Sequence, residues 1–350
     1  MNYNGINIKQ AKQQKLKELA ISLYKLCFDD DEKFVDFYFS KRYTEKNHFT
    51  IFENNSPVAA LQVIPYTMTF FDAKIDLAYL SAICTHPDFR KRGLMKKLLE
   101  KTHRQLFADG IYAAFLIPAY LYLFDVYEKN DYQTIFYHTK TSINAGNYCF
   151  NNDYKIYEYP EANKHDAFKY FDRKMSERNC CIQHSFSDFE IVCEDIYNSG
   201  GLILIAEYKN KIAGISFVLQ TNNNTVVNEH FAETHEISDN LIKTISRKIE
   251  TNKLLRIGIP QQKHCEPLGM IRIISVEKML RRYAEKHRCC NKTIFVKDSV
   301  IAENNGCYTI SNAECIKLPL ENSHNAWNIS RLAQFIFGGQ TPYMSLMLNE

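Results

Sequence analysis

The sequence predicts a chain of mixed α/β and α+β class, on three observations. Apolar strand patterns alternate with amphipathic helical stripes over residues 1–145. A similar order restarts over 146–263, and from 264 to 350 short strands are interspersed with helices. A length of 350 residues also exceeds what one hydrophobic core usually supports, so two or three domains are expected.

Leu16, Leu19, Ala20, Leu23 and Leu26 form a helical stripe within Gln14–Cys27. Asp29, Asp30 and Asp31 can cap a second helix bearing Phe34, Val35, Phe37, Tyr38 and Tyr43. Phe49–Glu53 and Pro57–Ile64 are apolar or alternating runs joined by Asn54, Asn55 and Ser56, the signal of a hairpin. A strand over Leu77–Thr85 follows. The helix after Gly93 carries Leu94, Met95, Leu98, Leu99, Thr102 and Leu106 on one face. Tyr112–Ile117 reads as a buried strand ending at Pro118, Tyr120–Glu128 as a short helix and Tyr132–Ser142 as a closing strand.

Leu202–Gln220 repeats the earlier hairpin pattern of apolar strand, polar turn, small residues and apolar strand. Helical stretches at Ala167–Met175 and Asp188–Tyr197 precede it. A helix at Ser238–Ile249 and a strand at Leu254–Ile259 follow it. This internal repeat lacks an Arg-x-x-Gly segment and reads as a scaffold. From Cys265 onward the run MIRIIS leads into a helix over Val276–His287. The strands TIFVKD, CYTI and CIKLPL come next, then a helix over Ile329–Phe337 stopped by Gly338 and Gly339.

A hydrophobic fraction of 45% with 24% charged residues is that of an ordinary globular protein. A net charge of +3 is too small to argue for nucleic acid or an anionic membrane surface. No apolar run approaches the roughly 18 residues needed to span a bilayer, and MNYNGINIKQAKQQK lacks the apolar core of a signal peptide. A cytoplasmic protein with no membrane or nucleic-acid partner is expected. The 11 cysteines are scattered without a Cys-x-x-Cys pair, which points to reduced, mostly buried thiols and no metal.

The most informative segment is Leu77–Leu99, a strand, a short basic loop and a helix that starts at Gly93. The first four N–H groups of a helix have no internal partner, and its dipole adds about half a positive charge there. Arg90, Lys91 and Arg92 flank that point, so a pyrophosphate suits the loop. A plain basic connection with a helix-start glycine explains the same residues.

Ile83 through Met95, ICTHPDFRKRGLM, resembles motif A of the GNAT superfamily of acyl-CoA-dependent N-acetyltransferases. That pattern has Gln or Arg, two residues, Gly, any residue, then Gly or Ala. Arg90 and Gly93 match, and Met95 replaces the last small residue, as in a branch that has Gly-Leu-Met or Gly-Leu-Leu. The branch is the enhanced intracellular survival family. Gly269–Ser275, Val296–Asp298 with Asn305–Tyr308, and Leu332–Gly339 resemble its third part. The resemblance spans nearly the whole chain. It implies tandem GNAT-like mixed-sheet domains followed by a small sterol-carrier-like α+β domain: a catalytic domain over 1–145, a second GNAT-like domain without the cofactor loop over 146–263, and the sterol-carrier-like part over 264–350. It also implies a homo-oligomer, and acetyl-CoA as cofactor. The coenzyme A pyrophosphate would lie on Lys91, Arg92, Gly93, Leu94, Met95 and Lys96 beside Arg90, and the pantetheine arm along Ile83, Cys84 and Thr85.

Acetyl transfer to an amine needs a neutral nitrogen, an electrostatic hold on the developing oxyanion and a proton for the leaving thiolate. Phe124–Tyr132 resembles the family's Tyr-x-x-x-Gly-Phe/Tyr stretch, with Asn130-Asp131 where a glycine usually stands. The resemblance implies Tyr127 as general acid, and a phenol of pKa about 10 holds its proton at pH 7. A packing role, as for many of the 22 tyrosines, is the alternative. The branch implies the chain's own C-terminal carboxylate, here on Glu350, as general base; a solvated terminus is the ordinary alternative. Glu53 and Asp76 are weaker candidates. Cys84 sits mid-strand, where a buried thiol fits better than a nucleophile, and His86 reads as a turn residue. The expected activity is direct acetyl transfer from acetyl-CoA to a primary amine of a small-molecule or protein acceptor. A non-catalytic CoA-binding or interaction protein and a lipid-binding module are the other readings.

Overall fold

The computed structural model describes residues 6–10, 14–148, 154–159, 162–221, 224–260, 265–319 and 325–348. The chain begins β1 (Ile6–Gln10), α1 (Gln14–Cys27), α2 (Glu32–Lys41), β2 (His48–Glu53), β3 (Ser56–Phe70), β4 (Ala73–Thr85), α3 (Leu94–Ala108), β5 (Ala113–Leu116), α4 (Leu121–Glu128) and β6 (Gln133–Asn144). It continues β7 (Lys155–Glu158), α5 (Lys164–Ser176), β8 (Ile182–Gln183), α6 (Phe186–Asn198), β9 (Leu202–Tyr208), β10 (Lys211–Gln220), β11 (Thr225–Ala232), α7 (His235–Ile249) and β12 (Lys253–Gly258). Last come β13 (Glu266–Ile273), α8 (Val276–Lys286), β14 (Lys292–Val296), β15 (Gly306–Ser311), β16 (Glu314–Leu318) and α9 (Ile329–Phe337).

These elements form two compact units. One holds the chain up to Tyr66, Ile75–Ile135 and Gly269–Gly339; the other holds Thr67–Lys74, Phe136–Leu268 and the residues from Gln340 on. In the first unit the sheet runs β1-β2-β3-β4-β5-β13, with β4 and β5 parallel and β13 antiparallel to β5. Ile271 faces Phe115 and Ile273 faces Ala113 in that last pairing. Residues 269–339, most of the segment expected as a third domain, thus pack with the first unit, because β13 takes the free edge of β5. The antiparallel sheet β14-β15-β16 with α8 against it keeps the α+β character expected there.

The helix signals read from sequence have clear physical causes. Asp31 caps α2 by accepting the Phe34 N–H at 2.8 Å, and Asn328 caps α9 through the Arg331 N–H at 3.0 Å. Helix α3 buries Leu94, Leu98, Leu99 and Leu106 in a core shared with Ala78, Leu80, Ala114 and Leu116. Each such leucine contributes about 1.5–3 kcal/mol of burial.

In the second unit the sheet runs β6-β12-β11-β10-β9-β7, with β11 and β12 parallel across α7. The hairpin, strand, helix and parallel strand recur in the order of β2, β3, β4, α3 and β5, so the repeat is visible in the topology. Residues 343–348 dock within this unit. Tyr343 and Ser345 hydroxyls donate to Glu229 Oε2 at 2.8 and 2.9 Å, and Arg178 approaches the same carboxylate at 3.2 Å. The His184 ring lies 3.2 Å from the Leu346 carbonyl.

Each unit also buries a histidine that loses its charge on folding. His48 contacts Gln62 Oε1 at 3.1 Å through Nδ1, and burial pulls its pKa from 6.5 to about 4. His230 is held between Ser216 and Ser238, and burial, with the Arg256 charge, pulls it to about 3. The unfolded chain protonates these rings near 6.5 while the folded chain does not, so acid favours unfolding. Urea unfolding measured from pH 6.5 to 4 is expected to lose about 1.4 kcal/mol per pH unit for each ring, with no loss from them above 6.5. A flat profile in that window would mean that both rings are charged in the fold.

Candidate active site

Strand β4 carries the site. Its described pairing with β5 covers only Leu77, Ala78 and Tyr79, opposite Ala113, Ala114 and Phe115. The strand then runs on to Thr85, past the end of β5 at Leu116. Between these points Ala82 has a φ of 52°, a left-handed kink in a non-glycine residue that marks a break in the pleat. Ser81 beside it is braced by the Tyr38 hydroxyl at 2.9 Å. Ile83 and Thr85 are half-buried, whereas Cys84 is buried at 8% exposure.

The loop follows at once. The His86 N–H donates to the Val58 carbonyl at 2.9 Å, and the His86 ring accepts the Asp88 N–H at 3.2 Å, so His86 is the turn residue expected. Arg90 donates from Nε to the Thr85 carbonyl at 3.3 Å. Lys91 and Gly93 both take left-handed conformations, with φ of 61° and 74°. Gly93 opens α3, and no side chain caps that helix. Its first N–H groups are therefore left to an outside acceptor. Arg90, Lys91, Arg92, Gly93 and Lys96 are exposed, Leu94 is buried in the α3 core, and Met95 packs partly buried against it.

A pyrophosphate fits this loop, because open N–H groups, a helix dipole and exposed cations converge there. No atom lies within 4 Å of where a Gly93 Cβ would stand, so its glycine is demanded by φ alone. Valine at that φ costs about 1–2 kcal/mol. The exposed loop sheds this strain by leaving the left-handed conformation, so Gly93→Val is expected to leave the unfolding midpoint little changed. Binding must restore that conformation, so acetyl-CoA affinity is expected to weaken about tenfold by calorimetry.

Tyr127, at the end of α4, is 5% exposed and packs edge-on to Tyr132 at 5.8 Å. Among the described residues no protein group hydrogen-bonds its hydroxyl. Burial, with smaller contributions from Cys84 and Tyr122, pushes its pKa above the usual phenol value, so it stays protonated. The Tyr132 N–H donates to the Tyr127 carbonyl at 3.1 Å and the Asp131 N–H to Glu128 at 3.0 Å. These are the bonds of a Schellman ending, and Asp131 supplies its left-handed residue at φ 64°. Asp131 therefore fills the place where the family pattern has glycine.

The weaker candidates separate in space. Glu53 accepts from Arg92 at 3.0 Å, an ion pair at the loop between residues 39 positions apart that no local pattern signals. Asp76 is exposed and nine residues before Thr85, roughly 30 Å along the strand. Glu350 lies outside the described residues, although 340–348 belong to the second unit. In that unit the turn corresponding to the cofactor loop is closed. Thr234 caps α7 through the Ile237 N–H at 3.3 Å, and Glu233 binds Lys174 at 3.1 Å and Arg173. A capped helix start beside a carboxylate does not suit an anion.

Residues 7–135 match the family described as the acetyltransferase (GNAT) domain. Members of this family use acyl-CoA. The fold is similar to that of a GCN5-related N-acetyltransferase from Anabaena variabilis, with TM-score 0.73 and 13% identity over 94% of this chain and 89% of that one. It is also similar to Eis1 from Mycobacterium abscessus, with TM-score 0.72 and 10% identity over 96% and 90%. A probable N-acyltransferase of unknown function from Enterococcus faecalis matches with TM-score 0.72 and 13% identity over 94% and 89%. No curated protein matches the sequence closely enough to count as a relative. No helix among the described residues is long and apolar enough to cross a membrane.

Proposed function

We propose that the chain transfers the acetyl group of acetyl-CoA directly to a primary amine of a small-molecule or protein acceptor. The observation that carries this reading is the uncapped start of α3, entered through left-handed Gly93 at the end of the basic loop that follows β4. Ile83, Cys84 and Thr85 would lie along the pantetheine arm, and Arg90 through Lys96 would hold the pyrophosphate. Bound acetyl-CoA supplies the acetyl group as a thioester. Tyr127 keeps its proton at the phenol oxygen and offers it to the departing sulfur. The Glu350 carboxylate is the proposed base that takes a proton from the amine.

Residues 146–263 act as a GNAT-like copy without a cofactor, a reading supported by the closed turn at Glu233 and Thr234. Residues 264–350 are read as sterol-carrier-like, on the α8 and β14–β16 arrangement. A cytoplasmic homo-oligomer is the proposed state. The test is thiol release from acetyl-CoA across a panel of primary amines, with cofactor binding measured by calorimetry. Release with at least one amine is expected. Tight binding without release on any amine would leave a non-catalytic CoA-binding protein, and no binding would overturn both readings.

A further inference from the structure

Cys27 and Cys84 meet from two distant parts of the first unit. Cys27 ends α1, and Cys84 is the penultimate residue of β4. Cys84 shares a buried cluster with Leu23 and Ala60, and Cys27 and Phe28 pack against it. The Cys27 thiol donates to the carbonyl of Thr85, next in chain to Cys84, at 3.5 Å. The Cys27 side chain thus packs beside Cys84, near enough for each thiol to perturb the other's ionisation.

The members of the pair differ in reach and charge. Cys27 is half-buried, and Cys84 is sealed at 8% exposure. Arg90 holds the same Thr85 carbonyl at 3.3 Å, which brings a guanidinium beside the Cys27 sulfur. The neighbouring Cys84 thiol and the Arg90 charge pull Cys27 below the ordinary thiol value. The neighbouring Cys27 thiol and burial hold Cys84 well above the ordinary thiol value. A reachable thiolate beside a sealed thiol is the arrangement of an attacking and a resolving cysteine.

We propose that Cys27 and Cys84 form a reversible disulfide under peroxide, closing α1 onto the end of β4 beside the cofactor loop. The Cys27 thiolate attacks hydrogen peroxide, the O–O bond breaks, and the sulfur becomes a sulfenic acid while hydroxide leaves and takes up a proton. The Cys84 sulfur then attacks the Cys27 sulfur, the S–O bond breaks, and water leaves with the Cys84 proton. Peroxide gains the two electrons that the two thiols lose. The bridge draws Cys27 away from the Thr85 carbonyl, and a dithiol reverses it by exchange. The bridge itself is independent of the cofactor. Its effect on acetyl-CoA rests on the function proposed above.

The test is peroxide treatment of the full chain, followed by alkylation and peptide mass mapping. A linked Cys27–Cys84 peptide pair is expected, with the loss of two hydrogens and two alkylatable thiols, both restored by dithiothreitol. Cys27→Ser removes the link and leaves Cys84 alkylatable after unfolding. Oxygen addition at Cys27 without the link would overturn the proposal, as would linkage only at Cys180–Cys181 or Cys289–Cys290. Calorimetry on the linked protein is a separate readout: weaker acetyl-CoA binding, restored by dithiothreitol, supports the coupling to the loop. Unchanged binding overturns that coupling and leaves the link standing. If even the reduced protein binds no acetyl-CoA, the proposed function fails while the mass map still decides the bridge.

Discussion

Tyr127→Phe is expected to lower turnover of acetyl-CoA about 10²-fold while leaving acetyl-CoA affinity within about twofold. The exchange removes one oxygen from a ring that is 5% exposed and packed against Tyr132, so the loss belongs to the hydroxyl and not to the fold. The raised pKa sets the size of the effect. Burial pushes this phenol above its usual value, while an ordinary thiol ionises near 8.5, so complete proton transfer to a thiolate is uphill. Stabilisation therefore comes mainly through hydrogen-bond donation to a charged sulfur, worth about 1.5–3 kcal/mol. That corresponds to roughly 10–150-fold, less than a matched general acid would give. The same shift keeps the group protonated through the alkaline range, so any fall of rate below pH 9 would belong to another group. Steady-state thiol release, paired with calorimetry for acetyl-CoA, separates the cases. Unchanged turnover would make Tyr127 a packing residue.

Much of the first unit was legible in the sequence, for local reasons. Helix α1 was bounded by its leucine stripe, α2 by Asp31, and the β2–β3 turn by Asn54 and Asn55, which take left-handed φ values of 51° and 64°. The loop after Thr85 was legible because Gly93 is needed there for its backbone. What was missed depends on partners remote in sequence. Strand β11, TVVNEHFA, lacks an apolar alternation because Glu229 and His230 are polar and yet buried. Their partners are Tyr343, Ser345 and Arg178 for the first, and Ser216 and Ser238 for the second. No window around residue 229 contains those groups. The placement of residues 269–339 was hidden for a similar reason, since only the free edge of β5 tells β13 where to pair. At the site, Arg90, Gly93 and Tyr127 came from the family pattern. The Glu53–Arg92 ion pair, the kink at Ala82 and the meeting of Cys27 with Cys84 are products of the fold.

Asp298→Asn is expected to destabilise the first unit by about 3–5 kcal/mol. Asp298 and Arg272 are both sealed from solvent, with Arg272 Nη2 donating to Asp298 Oδ1 at 2.7 Å. The carboxylate also accepts the Val300 N–H at 2.8 Å, the Ile301 N–H at 3.2 Å and the Asn304 amide at 2.9 Å. An amide at this position leaves the Arg272 charge buried and unpaired. It also turns a donor toward groups that are themselves donors. Arg272→Met is the instructive comparison. It leaves the carboxylate buried, but with three N–H donors still aimed at it, and hydrogen bonds to the charged form offset part of the lost cation. The methionine also fills the space of the arginine stem. Arg272→Met should therefore cost less than Asp298→Asn, although a simple ion-pair account makes the two equal. Urea unfolding of both variants at neutral pH decides the order. The reverse order would show that the guanidinium, with its Nη1 on the Ile273 carbonyl at 3.1 Å, is the group that fixes β13 in place.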